Sequence, residues 1–161
     1  IGQGDKIDDG WLGVSIYQQH NGDDGIYAPP PLKLLAEQKT GSFVRQQILG
    51  GVISAAHDIA DGGLAVALAE MAMQSGFGAN IAVPKTGNLH GWAFGEDQAR
   101  FVVTTANGQT LIAAAKEAGI EITKLGMVSD RSELKFGDND TISVADLNAV
   151  FEGCIPALMA G

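Results

Sequence analysis

The stretch "AAHDIADGGLAVALAEMAMQSG", residues 55–76, decides the fold of this chain. It begins with a short apolar run, passes through two aspartates and a Gly-Gly pair, and continues with apolar residues at helical spacing. One face of the predicted helix carries Leu64, Ala67, Leu68 and Met71. The pattern therefore predicts a strand, a turn and a helix in direct succession.

Gly62 and Gly63 stand at the first positions of this predicted helix, where each glycine costs about 1 kcal/mol relative to alanine. Asp61 fits the N-cap, which is the purely structural explanation of its carboxylate. That explanation leaves the glycines and Asp58 unaccounted for. Bare glycines at a helix start expose N–H donors to an anion, and Asp58 could hold a metal ion that bridges to it. His57 is better explained as a hydrogen-bonded core residue than as a ligand.

Length and composition indicate one globular domain over residues 1–161, with 45% hydrophobic and 18% charged residues. No apolar run approaches the ~18 residues that span a bilayer, and no secretory signal opens the chain. We therefore expect no membrane partner. Cys154 is the single cysteine, so no internal disulfide forms, which fits a cytoplasmic location. Ten basic against 19 acidic residues give a net charge of −9, which makes nucleic acid an unsuitable partner.

The rest of the chain predicts helices alternating with strands and then a run of short strands. Residues 11–20 are expected to be a strand or extended lead-in, and residues 21–31 a loop with three prolines. Helices are predicted over 32–49, 64–73, 110–118 and 144–153, the last with Ser143 as N-cap and Pro156 as its stop. Strands are predicted over 52–56, 79–83, 100–106, 121–128, 133–136 and 141–143. This order predicts an α+β fold (an α/β sandwich), with helices packed against a mixed β-sheet.

Four stretches together resemble one family. "HDIADGGLAVALAEMA" (57–72) resembles a signature of the AIR-synthase-like superfamily. "WLGVSIYQQHNGDDGIYAPPPLKLLAEQ" (11–38), "FGEDQARFVVTT" (94–105) and "LGMVSDRSELKF" with "FEGCIPALM" (125–136 and 151–159) are similar to the last domain of phosphoribosylformylglycinamidine (FGAM) synthase, in the same order. The resemblance implies an AIR-synthase C-terminal-domain-like fold. The abrupt start "IGQG", without an initiator methionine, leads us to expect a fragment of a longer multidomain subunit.

The resemblance also implies a reaction. FGAM synthases are ligases of de novo purine biosynthesis that convert FGAR, ATP and glutamine-derived ammonia to FGAM. ATP and Mg²⁺ serve the full enzyme, whereas this chain alone need hold neither. The implied partners are the N-terminal halves of the same subunit, a glutaminase subunit and a small accessory subunit. The family's catalytic histidine lies in the first N-terminal half, so we expect no catalytic residue here and an inactive isolated chain.

Candidate site residues follow from the same resemblance. In the family's catalytic copy, the aspartate matching Asp58 binds magnesium, and the residues matching Glu96, Asp97 and Gln98 contact substrate. Here these positions, with Asp61, Gly62 and Gly63, would face a pseudo-symmetric nucleotide site. We expect the helix start to lie at an open edge of the domain, where three carboxylates share one cleft. Because like charges repel, the pKa of at least one of these carboxylates should be raised. A solvated turn entering an edge strand is the alternative for residues 96–100.

Two departures from the family pattern bear on that site. Ala60 replaces the usual serine and removes a hydroxyl, and Asp97 replaces a serine and adds negative charge. Both weaken the case for a retained nucleotide. Two alternatives therefore stay open: a purely structural pseudo-dimer domain that binds no ligand, and a domain of a sister ATP-using enzyme of the AIR-synthase-like superfamily.

Overall fold

The structure, a computed structural model, describes residues 1–2, 12, 14–22 and 29–160. It divides into two compact units: Ile1–Ala67 with Thr86–Lys124, and Leu68–Lys85 with Leu125–Gly161. The described elements are α1 (Ile16–His20), α2 (Leu34–Leu49), β1 (Ala55–Asp58), α3 (Gly63–Ser75), β2 (Gly78–Ile81), α4 (Leu89–Phe94), β3 (Phe101–Thr104), α5 (Gly108–Glu117), β4 (Gly126–Ser129), β5 (Glu133–Phe136), β6 (Asp140–Ser143) and α6 (Val144–Ala160).

The first unit is built on an antiparallel pair of strands, β1 and β3, in which Ala56 lies opposite Val103 and Asp58 opposite Phe101. The β-branched and aromatic residues of "FVVT" suit this extended backbone. Helices α2 and α5 supply apolar side chains to its core. The buried cluster contains Phe43, Val44, Ile53, Leu111, Ala115 and Ile120. This pairing places Asp58 beside the start of β3, immediately after the "GEDQAR" turn.

The second unit contains a mixed four-stranded sheet in the order β4-β2-β5-β6. Strand β2 is antiparallel to β4 and parallel to β5, and β5 and β6 form an antiparallel pair. Helix α6 follows directly. The Ser143 hydroxyl accepts from the Asp146 backbone N–H at 3.0 Å and donates to its carboxylate at 2.6 Å, which confirms Ser143 as the helix N-cap.

The α+β class with mixed pairing is confirmed, and several element bounds differ from the sequence predictions. Residues 16–20 form helix α1 instead of the expected extended segment, because Ser15 caps its first turn. Much of the predicted loop over 21–31 lies outside the described residues. Strand β1 begins three residues later and ends two residues later than predicted, and it is largely exposed. Of the strand predicted over 121–128, only the end is a strand. Helix α4 was not predicted at all.

Helix α6 is the largest difference, because it continues to Ala160 through Pro156. Proline removes one backbone N–H and crowds the carbonyl four residues earlier, a local cost of about 3 kcal/mol. The residues that follow Pro156 are Ala-Leu-Met-Ala, which are strong helix formers. The predicted stop at Pro156 was therefore wrong. Among the residues that the structure describes, no helix has the length and apolarity needed to cross a membrane.

Candidate functional site

The Gly62-Gly63 pair adopts a backbone that other residues rarely adopt. Gly62 has φ 79° and Gly63 has φ 69°, the left-handed region in which glycine alone is free of strain. A Cβ on Gly63 would lie 2.7 Å from the Cα and carbonyl carbon of Phe94, and a Cβ on Gly62 would collide with the side chain of Val66. The close neighbours that require these glycines belong to the chain itself: the end of α4 for Gly63 and Val66 of α3 for Gly62.

The carboxylate of Glu96 accepts two backbone hydrogen bonds at this point. Its Oε1 accepts from the N–H of Gly62 at 2.8 Å and from the N–H of Ile16 at 2.9 Å. Gly62 immediately precedes α3, and Ile16 is the first residue of α1. Such N–H groups have no acceptor inside their own helix. One side chain therefore satisfies the starts of two helices that are distant in sequence.

The segment before α1 is held by further contacts within the same unit. The buried Ser15 hydroxyl donates to the Leu12 carbonyl at 2.6 Å and accepts from the Gln18 N–H at 3.2 Å. The Tyr17 ring stacks on Phe94, with centroids 4.5 Å apart, and lies 5.2 Å from the His90 ring. Tyr17 is therefore packed against α4, and Ile16 is bonded to Glu96, two positions beyond the end of that helix.

Asp97 forms an ion pair with Arg100. The Arg100 guanidinium also lies 3.4 Å from the Gly95 carbonyl. Burial raises the pKa of Asp97 above its usual value, and this effect outweighs the attraction of Arg100, which acts in the opposite direction. Ala99, between the two partners, has φ 63° and is strained for a residue with a side chain. The charge that Asp97 adds to the motif is thus matched by a cation from the same turn.

A cavity of about 310 Å³ opens beside these residues in the first unit. Its acidic lining comes from three different parts of the sequence: the first turn of α2, the β1–α3 turn and the segment before β3. The lining residues are Glu37, Asp58, Ile59, Ala60, Asp61, Glu96, Gln98, Ala99, Arg100 and Phe101. An acidic cavity of this kind favours cations over free anions.

The structure brings four of the sequence-predicted site residues, Asp58, Asp61, Glu96 and Gln98, to this cavity. It does not place Asp97 in the lining, and Gly62 and Gly63 are buried instead of lying at an open edge. The expected N-cap role of Asp61 is also absent: Glu96 accepts from the Gly62 N–H, and the Gly63 N–H donates to the Ala60 carbonyl at 3.0 Å.

The side chains of the cavity bear on the Mg²⁺ ion and the nucleotide that the resemblance implies. Within residues 1–2, 12, 14–22 and 29–160, no cluster of three or more histidine, cysteine, aspartate or glutamate side chains could hold a metal ion. A Mg²⁺ ion held by three carboxylates therefore does not fit this cavity. The Gly62 N–H, one of the donors that a phosphate at the start of α3 would use, already donates to Glu96, and the nucleotide-binding role of Asp61, Gly62 and Gly63 stays a prediction. The role of Asp58 as a metal ligand stays a prediction.

Sequence reasoning missed the bridge made by Glu96 and the aromatic contacts of Tyr17. The first had no local signal, because 34 residues separate Glu96 from Gly62 and 80 separate it from Ile16. Helix α4, which carries the partner of the Tyr17 ring, did have a local signal in the sequence. Asn88 precedes it, and its side chain accepts from the Gly91 N–H at 3.1 Å, the contact that an N-cap asparagine makes.

Most of the chain is similar in sequence to known proteins. Residues 4–139 match the profile of "AIR synthase related protein, C-terminal domain". The chain is 45% identical over 154 residues to phosphoribosylformylglycinamidine synthase subunit PurL of Methylocella silvestris, covering 94% of this chain and 21% of that protein. The same subunit of Parvibaculum lavamentivorans is 46% identical over 155 residues, with the same coverage. The chain thus spans about a fifth of the length of these relatives.

Solved structures of Thermotoga maritima PurL share the fold. The complex with FGAR gives a TM-score of 0.68 at 16% identity, over 79% of this chain and 23% of that one. The structure of PurLQS gives 0.66 at 17% identity, over 74% and 23%. The complex with ATP gives 0.61 at 18% identity, over 70% and 21%. With the profile matched over most of the sequence and the same fold in these structures, the chain belongs to the AIR synthase related family, as a C-terminal domain.

Proposed function

We propose that this chain is the C-terminal AIR-synthase-related domain of an FGAM synthase subunit, one domain of a longer polypeptide that works in purine biosynthesis in the cytoplasm. The observation that carries the proposal is the similarity to PurL subunits across 94% of the chain. The described geometry is compatible with it, because three of the four family-like stretches converge on the first unit around Glu96.

In this proposal the subunit is a ligase that forms a C–N bond. FGAR carries an amide whose oxygen is a poor leaving group. ATP supplies the phosphoryl group that turns this oxygen into a good one, and glutamine-derived ammonia then displaces phosphate. The longer protein therefore needs a nucleotide and Mg²⁺, a glutaminase partner and the accessory subunit. A structure of PurLQS from Thermotoga maritima is among the solved structures that share this fold, and it supports an assembly with partner subunits.

We assign no catalytic step to the residues of this chain. The His57 ring nitrogen Nδ1 lies 2.6 Å from the Asp58 carbonyl oxygen, and Arg100 is engaged by Asp97. The cavity lining offers carboxylates and a glutamine but no free cation for a developing phosphate charge among the described residues. The domain's part in the reaction is thus to support the N-terminal halves that carry the chemistry.

Within that role, one observation favours the structural alternative over a retained nucleotide site. The Gly62 N–H, the donor that a phosphate at this helix start would use, donates to Glu96. The acidic cavity lining acts in the same direction, because it repels a phosphate that arrives without a cation.

A chimera tests the proposal. The matching segment of the Methylocella silvestris relative is replaced by this chain, and ATP- and ammonia-dependent conversion of FGAR to FGAM is measured. We expect turnover by the chimera and none by the isolated 161-residue chain or by the relative with its segment deleted. A folded, soluble chimera that turns over no FGAR would contradict the proposal, as would an isolated chain that is active.

A further inference from the structure

The Glu96 carboxylate occupies a position that proteins usually leave to water, a local cap or a ligand anion. Its Oε1 lies 2.8 Å from the nitrogen of Gly62 and 2.9 Å from that of Ile16. Both distances are those of charge-assisted hydrogen bonds, which are about twice as strong as neutral ones. The positive end of the 13-residue helix α3 adds to the attraction.

The local caps that the sequence offers do not replace this carboxylate. Ser15 caps α1 through the Gln18 N–H, which leaves the Ile16 N–H to another acceptor. At α3, the left-handed backbone of Gly62 and Gly63 directs the Gly63 N–H to the Ala60 carbonyl, and the Gly62 N–H to Glu96. Each helix start thus has one donor that no nearby residue satisfies, and the two donors meet at one oxygen.

We propose that Glu96 is a positioning residue that acts as a built-in anion. It fastens the start of α1, at Ile16, to the start of α3, and it keeps the Gly62 N–H from binding the phosphate of any ligand. This inference goes beyond the proposed function, because it concerns which atom fills the helix start and holds whether or not the longer protein makes FGAM. It also assigns Glu96 a role distinct from that of Glu37, Asp58 and Asp61, which share the cavity but are not bonded to these amides.

The test uses the full 161-residue chain and the backbone amide resonances of Ile16 and Gly62. In Glu96→Ala both amide protons should move upfield, and the melting temperature should fall by about 5 °C, because two donors lose a charged acceptor. Glu37→Ala, which removes another carboxylate from the same cavity, should leave both resonances in place. If either the Ile16 or the Gly62 proton is unmoved in Glu96→Ala, the bridge does not exist and the proposal is overturned.

Glu96→Gln keeps the test decisive if Glu96→Ala does not fold. Its amide oxygen still accepts but carries no charge, so both protons should move upfield by a smaller amount. Unchanged positions in the glutamine variant would overturn the proposal in the same way.

Inorganic phosphate tests the second half of the claim. In the wild-type chain the Gly62 amide should not respond to added phosphate, whereas in Glu96→Ala it should shift saturably. With Glu37→Ala the response should match the wild type. A saturable Gly62 shift in the wild type, or none in a folded Glu96→Ala variant, would show that Glu96 is not the anion that fills this position.

Discussion

The Asp97 carboxylate and the Arg100 guanidinium form an ion pair across one turn, and 17% and 7% of their side chains, respectively, remain exposed. Both charges have therefore lost most of their hydration. The pair accounts for the acidic departure of the "GEDQAR" motif, because the added carboxylate faces a cation supplied three residues later. It also creates a pH dependence, since burial raises the pKa of Asp97 above its ordinary value of 3.8.

The sign of that dependence follows from proton binding. The folded chain holds the Asp97 proton more tightly than the unfolded chain does, so raising the pH favours the unfolded state. The stability contributed by this group is fully present below pH 3.8 and is lost as the pH rises through the raised pKa. We expect the unfolding free energy of the wild type, minus that of Asp97→Asn, to fall over this window in urea titrations. A carbon-13 NMR titration in which the Asp97 carboxyl has its midpoint at or below 3.8 would contradict this.

Gly63→Ala should destabilise the chain by more than about 3 kcal/mol, because it combines a left-handed backbone with overlap against Phe94. The measurement is chemical unfolding. Gly153→Ala is the matched control: that glycine lies in helix α6 with open space around it and no positive φ. There alanine should stabilise by up to about 1 kcal/mol. Equal effects at the two positions would refute the close-approach explanation of the glycine pair.

Ala99→Gly should raise the free energy of unfolding, whereas most alanine-to-glycine changes lower it. Relief of the positive φ should offset the entropy that glycine adds to the unfolded chain, giving a gain of about 0.5 kcal/mol. Ala113→Gly, at an exposed position inside helix α5, should cost about 1 kcal/mol. The two variants are compared by thermal and urea unfolding, and a loss at Ala99 as large as that at Ala113 would argue against backbone strain there.

Helix α6 carries large apolar side chains that stay exposed, namely Val150, Phe151, Ile155, Leu158 and Met159. Phe151→Ser should therefore change the unfolding free energy by no more than about 0.5 kcal/mol, whereas Leu111→Ala in the buried core should cost about 2–5 kcal/mol. Several large apolar side chains exposed on one helix also favour association. The sedimentation coefficient of the wild type should rise with protein concentration, and Phe151→Ser should reduce this rise. A wild-type chain that is monomeric at every concentration would contradict the predicted self-association.

The sequence was most informative where a local pattern had a single physical solution. Richness in β-branched and aromatic residues predicted β3, helical spacing predicted α2 and α3, alanine content predicted α5, and Ser143 marked the start of α6. The turn "DIADGG" was predicted to contribute to the candidate site, and its first four residues line the cavity. The sequence predicts that the Gly62-Gly63 pair is open to a ligand, whereas in the structure α4 crowds Gly63 and Glu96 accepts from the Gly62 N–H.

The misses arise from long-range contacts that no local pattern encodes. At the start of α3 the Gly62 N–H donates to Glu96 and not to Asp61. Glu96 lies on a turn 34 residues further along the chain, so no local pattern around Gly62 predicts this contact. The pKa prediction for the acidic cluster had the right direction for Asp97 but the wrong cause, because burial and not a neighbouring carboxylate raises it. The end of α6 was misplaced because the proline rule was given more weight than the helix formers that follow Pro156.

The central claim is that the chain fills the start of α3 with its own carboxylate and so holds no nucleotide there. Calorimetric titration of ADP with Mg²⁺ into the 161-residue chain, with the Gly62 amide followed by NMR, tests it most directly. We predict no saturable heat and an unmoved Gly62 resonance. Saturable binding that moves the Gly62 amide, and that Asp58→Asn abolishes, would contradict the account and restore a working nucleotide site to this cavity.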